Sequence, residues 1–362
     1  MIYPKNFEQK LGFDRILRQV AECCSTRRGK ELLSDEGFST NADIIRYRLA
    51  LCSEMRTCLM LESDFPRGEF AEFSGVATKL GIEGAFLEVT EVQTLGRGLR
   101  DVDSLLGFVR RSESYPALQK ISERIDSFPR IFNHIESLID RFGNVKDSAS
   151  PELFEIRRTI RQREGSVSKR LQAILAQAVA AGYADSDASV SIRDGRAVIP
   201  VSAANKRRVP GFIHDQSATG KTFYIEPVEI VEINNELKEL AYAERREVVR
   251  VLTEFTDSIR ENSDEIEAAA DYLSRMDMIR AKARWALDND ATVPIISEEG
   301  RLTLRKARHP LLRQALAKER KEVVPLDLTL DPANRILVIS GPNAGGKSVC
   351  LKTVGLLQYM FQ

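Results

Sequence analysis

The sequence predicts a mainly helical protein in which two long antiparallel helices carry a small β-rich insert, followed by the beginning of an α/β domain. Three observations carry this expectation. Apolar residues recur at three- and four-residue steps through most of residues 1–290. Residues 228–293 contain neither Gly nor Pro, so nothing punctuates that helical pattern. Short β-branched runs with turn signals interrupt the pattern at 184–227, and an alternation of short apolar runs and turns begins at Leu302.

The chain has 362 residues, more than one compact core usually holds, so at least two domains are expected. Hydrophobic content of 43% and charged content of 29% are those of ordinary globular proteins. Lys+Arg and Asp+Glu both number 53, which excludes a globally basic protein; any nucleic-acid surface must be a local patch. The first residues carry no apolar run of signal-peptide type. The most apolar stretch, Ile174 to Ala184, is interrupted by Gln177 and too short to span a bilayer, so no membrane partner is expected. The five cysteines (Cys23, Cys24, Cys52, Cys58, Cys350) form no CxxC pair and there are three histidines, which argues against a disulfide framework or a zinc site and for a reducing cytoplasm.

Taken in order, Phe7, Leu11, Phe13, Ile16, Leu17 and Val20 form a helical stripe, and Ile44 to Leu61 and Val92 to Val109 repeat it. Turns are expected at Pro66-Arg67-Gly68, at 81–84 and at 126–129. Pro151 suits the first turn of a long helix whose stripe runs from Leu153 to Ala178 and stops at Gly182, with Gly165 as a weak point. Strands are expected at 190–192, 197–201 and 222–225, with Asp194-Gly195 as a hairpin turn. From Val228 a stripe through Leu237, Val248, Phe255, Ile266 and Met276 would make one helix of roughly 90 Å. No domain core is that deep, so it should pack lengthwise on 151–182.

The chemistry concentrates in Gly341-Pro342-Asn343-Ala344-Gly345-Gly346-Lys347-Ser348, which fits GxxxxGK[ST]. The run Arg335 to Ser340 should be the strand entering it and Val349 to Phe361 the helix leaving it. Glycines allow the backbone to fold around phosphates and aim its N–H groups inward, while the helix presents its positive end to the same anion. Lys347 would reach the β- and γ-phosphates of ATP, and Ser348 would hold Mg²⁺. Gly220-Lys221-Thr222 ends like a second such loop, but Asp215 stands where its first Gly belongs, so it reads as a turn. No acidic Mg²⁺ ligand or water-positioning residue follows Ser348, so the chain alone is expected to turn over ATP negligibly.

A second candidate lies in the β insert. Residues 193–221 carry Arg193, Arg196, Lys206, Arg207, Arg208 and Lys221 against only Asp194 and Asp215. A basic tip on a long arm suits a phosphate backbone. The run Arg157, Arg158, Arg161, Arg163 is a weaker alternative, since exposed helix faces are often basic. His134 and His214 have no evident nucleophile or metal partner, and His309 sits in an Arg-His-Pro turn.

The loop 341–348 resembles the P-loop of the MutS family of DNA-associated ATPases, as does Ala307-Arg308-His309-Pro310-Leu311-Leu312 upstream of it. The segments Arg193 to Val201 and Gly211 to Pro227 are similar to the second bacterial branch, MutS-II, and the start from Leu11-Gly12-Phe13-Asp14 to Gly29-Lys30-Glu31-Leu32 looks like that branch's opening. The resemblance implies a helical core domain at 1–150, paired lever helices at 151–183 and 228–290, a clamp-like tip at 184–227, and the beginning of an ABC-type ATPase domain at 291–362. It implies a homodimer in which two protomers complete each other's ATP sites, and an adenine pocket with Val323 or Val324 where classical members have an aromatic residue. It implies binding of branched or structured DNA and restraint of homologous recombination, or rescue of stalled, collided ribosomes through rRNA contact. A C-terminal nuclease module belongs to the same picture but not to this chain. Phe70-Ala71-Glu72 and Phe86-Leu87-Glu88 match the spacing of the mismatch-reading Phe-x-Glu, yet no β-rich domain surrounds them and both are taken as chance. An SMC-type ATPase also joins a P-loop to a long arm, but there the loop precedes the arm. A structural coiled coil would not need the P-loop.

Overall fold

The structure is a computed structural model that describes residues 6–342 and 346–362. It divides into two compact units, one made of residues 1–83, 91–132 and 260–362, the other of 84–90 and 133–259.

The first unit opens with α1 (Phe7–Leu11), α2 (Phe13–Glu22), α3 (Arg27–Asp35) and α4 (Ala42–Leu61). Short helices α5 (Ser74–Leu80) and α7 (Pro116–Ser122) flank the long α6 (Val89–Arg111), and α8 (Pro129–Leu138) leads out. The expected stripes are buried in part: Ile16 and Val20 on α2, Met55 and Cys58 on α4, and Val92, Leu95, Leu99 and Val102 on α6, whereas Phe7, Leu11, Phe13 and Leu17 are half-buried and Ile44 and Leu61 at the ends of α4 are exposed. A Cβ on Gly98 would lie 2.1 Å from the Phe73 ring, so only a bare backbone lets α6 pass that side chain.

The second unit holds α9 (Pro151–Ala180), the strands β1 (Ser191–Arg193), β2 (Arg196–Ser202), β3 (Gly211–Gln216) and β4 (Thr222–Pro227), and α10 (Val228–Ile259). Helix α9 runs unbroken through Gly165 and is capped by the Ser150 side chain, which accepts from the Leu153 N–H. Three ion pairs fix its register on α10: Arg157–Glu244 at 2.7 Å, Arg163–Glu236 at 3.0 Å and Arg170–Glu229 at 3.0 Å. Partner numbers fall as α9 numbers rise, so the pair is antiparallel. The strands form one antiparallel sheet in the order β1-β2-β4-β3. Its apolar face (Ile199, Val201, Ile225) packs with Val167, Leu171 and Leu175 of α9 and Ile230 of α10. Asp194 and Gly195 take φ of 51° and 75°, the left-handed pair of a type I′ hairpin. Strand β3 was not expected; a bulge between Ile213 and Asp215 breaks its alternation.

Two expectations need correction. The helix from Val228 does not run to residue 290. It ends at Ile259, turns through a 3₁₀ segment at Arg260–Asn262, and restarts as α11 (Ser263–Asp288) in the first unit. Arg260 donates to the carbonyls of Leu80 and Ile82 there. Helix α11 packs on α2 to α5. Its buried residues, from Ile266 and Tyr272 through Met276, Arg280, Ala283 and Trp285, lie on several faces, so it is a core helix and needs no coiled partner.

The second correction concerns the chain after 290. Strands β5 (Leu302–Ala307) and β6 (Leu326–Leu330) pair antiparallel around α12 (Pro310–Lys318), and residues 323–324 are coil. The run 335–340 forms no strand: Ile336 is 86% and Val338 84% exposed. A fully apolar strand of an α/β sheet needs a ladder on its edges and helices on both faces, and among the described residues nothing pairs with this one. The last helix, α13 (Lys347–Phe361), follows it. No helix among the described residues is long and apolar enough to cross a membrane.

Candidate functional site

The glycine-rich loop leads directly into α13. Gly346 caps the helix with φ of 83°, a conformation that L side chains rarely adopt, and Gly341 sits at φ 143°. Lys347 is the first helical residue and its ammonium donates to the Gly341 carbonyl, drawing the two ends of the loop together. Ser348 is the next residue and exposed. Asn343, Ala344 and Gly345 lie outside the described residues. The residues present fit a phosphate: a left-handed glycine at a helix N-terminus, a lysine whose donor lies across the loop, and a free hydroxyl one position on.

Helix α13 is seated at its far end. Leu356 and Thr353 are buried, and Leu356 joins Ile16, Val20, Leu311 and Trp285 in one apolar cluster. Tyr359 stacks edge-on against Phe7 and Phe13, with ring centroids 5.5 and 4.8 Å away, and its hydroxyl donates to Glu8. Val323 is half-buried and Val324 88% exposed, both in the coil before β6. His309 is buried at the start of α12, where burial first and then Lys352 and Arg15 hold its imidazole below the ordinary range.

At the β tip the structure sorts the six expected cations into two groups. Arg196 is turned inward and bonds the buried Glu226 at 2.8 and 2.9 Å and Asn235 at 2.9 Å. His214, placed by the bulge in β3, reaches Glu226 at 2.5 Å, and Asn234 donates to it at 2.8 Å. Burial pushes the Glu226 carboxyl up, but the bonds from Asn234, Arg196 and His214 outweigh it and hold the group below its usual range. Arg193 faces Asp215 at 3.2 Å and lies over the Tyr224 ring at 4.3 Å. These two arginines hold the sheet together.

The other four cations stand in solvent. Lys206, Arg207, Arg208 and Lys221 are exposed, and among the described residues none meets a carboxylate. Lys206 lies over Phe223 at 4.5 Å. Ser202 pairs with Thr222 and the Ala203 N–H donates to the Lys221 carbonyl, so the turns 203–208 and 217–221 sit at the same end of the sheet. The basic run on α9 is committed elsewhere: Arg157 and Arg161 pair with Asp147, Arg158 with Glu155, and Arg163 with Glu236. Glu226 was missed as an organising residue. Its only signal was a carboxylate at the end of an apolar strand, Phe223 to Ile225.

Phe70 of the Phe-Ala-Glu match is core. It is 5% exposed, and the Arg280 guanidinium lies 3.7 Å above its ring. Arg280 in turn bonds Asp277 at 2.8 Å, and Thr26 donates to the same carboxylate through its N–H and hydroxyl. Glu72 accepts from the N–H groups of Arg28 and Ser74. Phe70 is thus packed in the core, and Glu72 is half-buried and spent on these caps. The cysteines are free, and burial pushes the Cys24 and Cys58 thiols up to about 12. Among the described residues no His, Cys, Asp or Glu cluster could hold a metal ion.

In sequence the chain is similar to curated proteins named Endonuclease MutS2. It is 36% identical over 360 residues to that of Pelotomaculum thermopropionicum, with 98% of this chain and 44% of the relative covered. The corresponding figures are 37% over 367 residues for Thermomicrobium roseum, covering 97% and 45%, and 34% over 352 residues for Symbiobacterium thermophilum, covering 97% and 43%. The chain thus spans less than half the length of the relatives it matches, in their N-terminal part. No family profile matches it.

Proposed function

We propose that this chain forms part of a cytoplasmic, homodimeric ATPase of the MutS-II type that grips branched or structured DNA and restrains homologous recombination. In this reading the helices of 1–83 and 91–132 with α11 are the core domain, α9 and α10 are the lever, 184–227 is the clamp, and 291–362 begins the ATPase domain. The nuclease activity in the relatives' name would belong to the same protein.

ATP with Mg²⁺ supplies the phosphoryl chemistry when bound. For that the chain offers Lys347 to neutralise the β- and γ-phosphates, the α13 N-terminus and loop N–H groups to cradle them, and Ser348 as a ligand for the ion. A phosphate would take over the lysine from the Gly341 carbonyl. Val323 and Val324 would at most make weak apolar contact with the base. The observation that carries the DNA reading is the exposed quartet Lys206, Arg207, Arg208 and Lys221 at one end of the tip sheet. Phosphate contacts of this kind position a duplex but do not read its sequence, so shape should govern binding.

The test is competition. A labelled four-way DNA junction bound to the chain is challenged with unlabelled junction, linear duplex or ribosomes. Displacement by junction well ahead of duplex supports the reading; displacement by ribosomes alone replaces it with an rRNA target. For the nucleotide site, Lys347→Ala should abolish binding of a fluorescent ATP analogue while circular dichroism stays unchanged. Retained binding would remove 341–348 as the phosphate cradle.

A further inference from the structure

We propose that Phe142, backed by Arg141, is a stacking platform for an unpaired nucleobase, a second nucleic-acid contact separate from the tip. The proposal rests on the DNA-binding reading above and adds to it a single-strand contact.

The turn between α8 and α9 is built to hold one ring in water. Its root is core: Ile139 and Val145 are buried and bridge each other. The Asp140 carboxylate accepts from the N–H of Phe142 at 2.8 Å and of Asn144 at 2.9 Å, and the Asp140 N–H donates to the Asn144 carbonyl. Gly143 takes φ of 87°, which closes the turn. Arg157 of α9 donates to the Val145 carbonyl at 2.6 Å and ties the turn to the helix. On this fixed base Phe142 is 73% exposed. The Arg141 guanidinium covers one face of the ring, 4.6 Å from its centroid. With that face covered and the ring still mostly exposed, the other face is open to solvent.

The surroundings select the occupant. A protein partner needs a patch of roughly 800 Å² with an apolar centre. The neighbours of Phe142 in the turn are Asp140, Arg141, Gly143 and Asn144, and none is apolar. One isolated ring is too little for that, but it is what a base needs: one flat apolar face, with a cation beside it for the adjoining phosphate. The Asp140 carboxylate is occupied by the turn, and no carboxylate pairs with Arg141 among the described residues. The turn joins α9 near Arg157 and the tip follows its end at Ala180, about 35 Å further along the helix. Contacts so far apart should act additively.

The experiment measures binding of the chain, and of Phe142→Ala and Phe142→Trp, to a fork with single-stranded arms of roughly ten nucleotides and to a blunt duplex of the same paired length. The arms carry 2-aminopurine. Phe142→Ala should bind the fork about 5- to 150-fold more weakly, bind the duplex unchanged and lose the quenching of 2-aminopurine. Phe142→Trp should keep all three wild-type properties. The ring is exposed, so circular dichroism should not change. Equal fork affinity for Phe142→Ala and wild type overturns the proposal, and so does an equal loss on fork and duplex. A change from dimer to monomer in sedimentation, with DNA binding intact, shows instead that the ring covers a second copy. If the wild-type chain binds duplex but Phe142 has no effect, the platform fails and the tip reading stands. If it binds neither DNA, both fail.

Discussion

Replacing Lys206, Arg207 and Arg208 together by Glu separates the tip's two kinds of cation. Each phosphate contact contributes about 0.9 to the slope of log affinity against log salt on duplex DNA. If all six basic residues of the tip touched phosphates, the tip would account for a slope of about 5.4. Arg193 and Arg196 are committed to Asp215 and Glu226, which leaves four and a slope of about 3.6. The triple variant should therefore flatten the dependence by about 2.7 and bind far more weakly at low salt, where the added carboxylates also repel. Its folding cost should be small. Among the described residues no side-chain ion pair or ring contact of Arg207 or Arg208 is removed by the change, and the Lys206–Phe223 stack at 4.5 Å is worth about 0.5–1 kcal/mol at an exposed site. The control is Arg196→Gln, which should lower stability but leave the slope nearly unchanged. Titrations of a labelled four-way junction over a salt series, with urea unfolding followed by circular dichroism, measure both quantities. Equal slopes for the triple variant and wild type would refute the reasoning. A slope loss for Arg196→Gln as large as the triple variant's would refute the sorting of the cations.

Two further outcomes follow from the packing. Glu226 is held below its ordinary range, so its stabilisation is complete above the unfolded carboxylate value of about 4.3 and disappears as pH falls through the lower folded value. Glu226→Gln should cost about 2–3 kcal/mol at pH 7, and urea unfolding should show the gap to wild type closing in acid; a gap that stays constant with pH would refute the assignment. Gly98→Ala places a methyl 2.1 Å from the Phe73 ring; overpacking of about 1–3 kcal/mol against a helix-propensity gain of about 1 kcal/mol should leave a net loss that Phe73→Leu relieves, and a thermal midpoint unchanged by Gly98→Ala would contradict the packing.

Local physics is what the sequence by itself determined. Three- and four-residue periodicity located α2, α4, α6 and α9 because one buried stripe is a property of a helix's own geometry. Asp194-Gly195 announced its turn because few residues tolerate two consecutive positive φ values. The helix after the glycine-rich loop was expected from Val349 and starts two residues earlier, at Lys347, with Gly346 at φ of 83° as its cap. The tertiary structure decided whatever depends on residues far apart in the chain. The helix from Val228 contains no breaker, and it stops where Arg260 meets carbonyls some 180 positions away. The run 335–340 has strand composition, but a strand exists only with neighbours to bond it. In the sequence Lys206, Arg207 and Arg208 stand out as three consecutive loop cations, with Arg193 and Arg196 as lesser contributors, but the partner of each is not legible there. Strand register then set Arg196 against Glu226 and Arg193 against Asp215, and left Lys206, Arg207, Arg208 and Lys221 in water. A charge's use depends on which carboxylate the fold brings within about 3 Å, and composition carries no record of that distance.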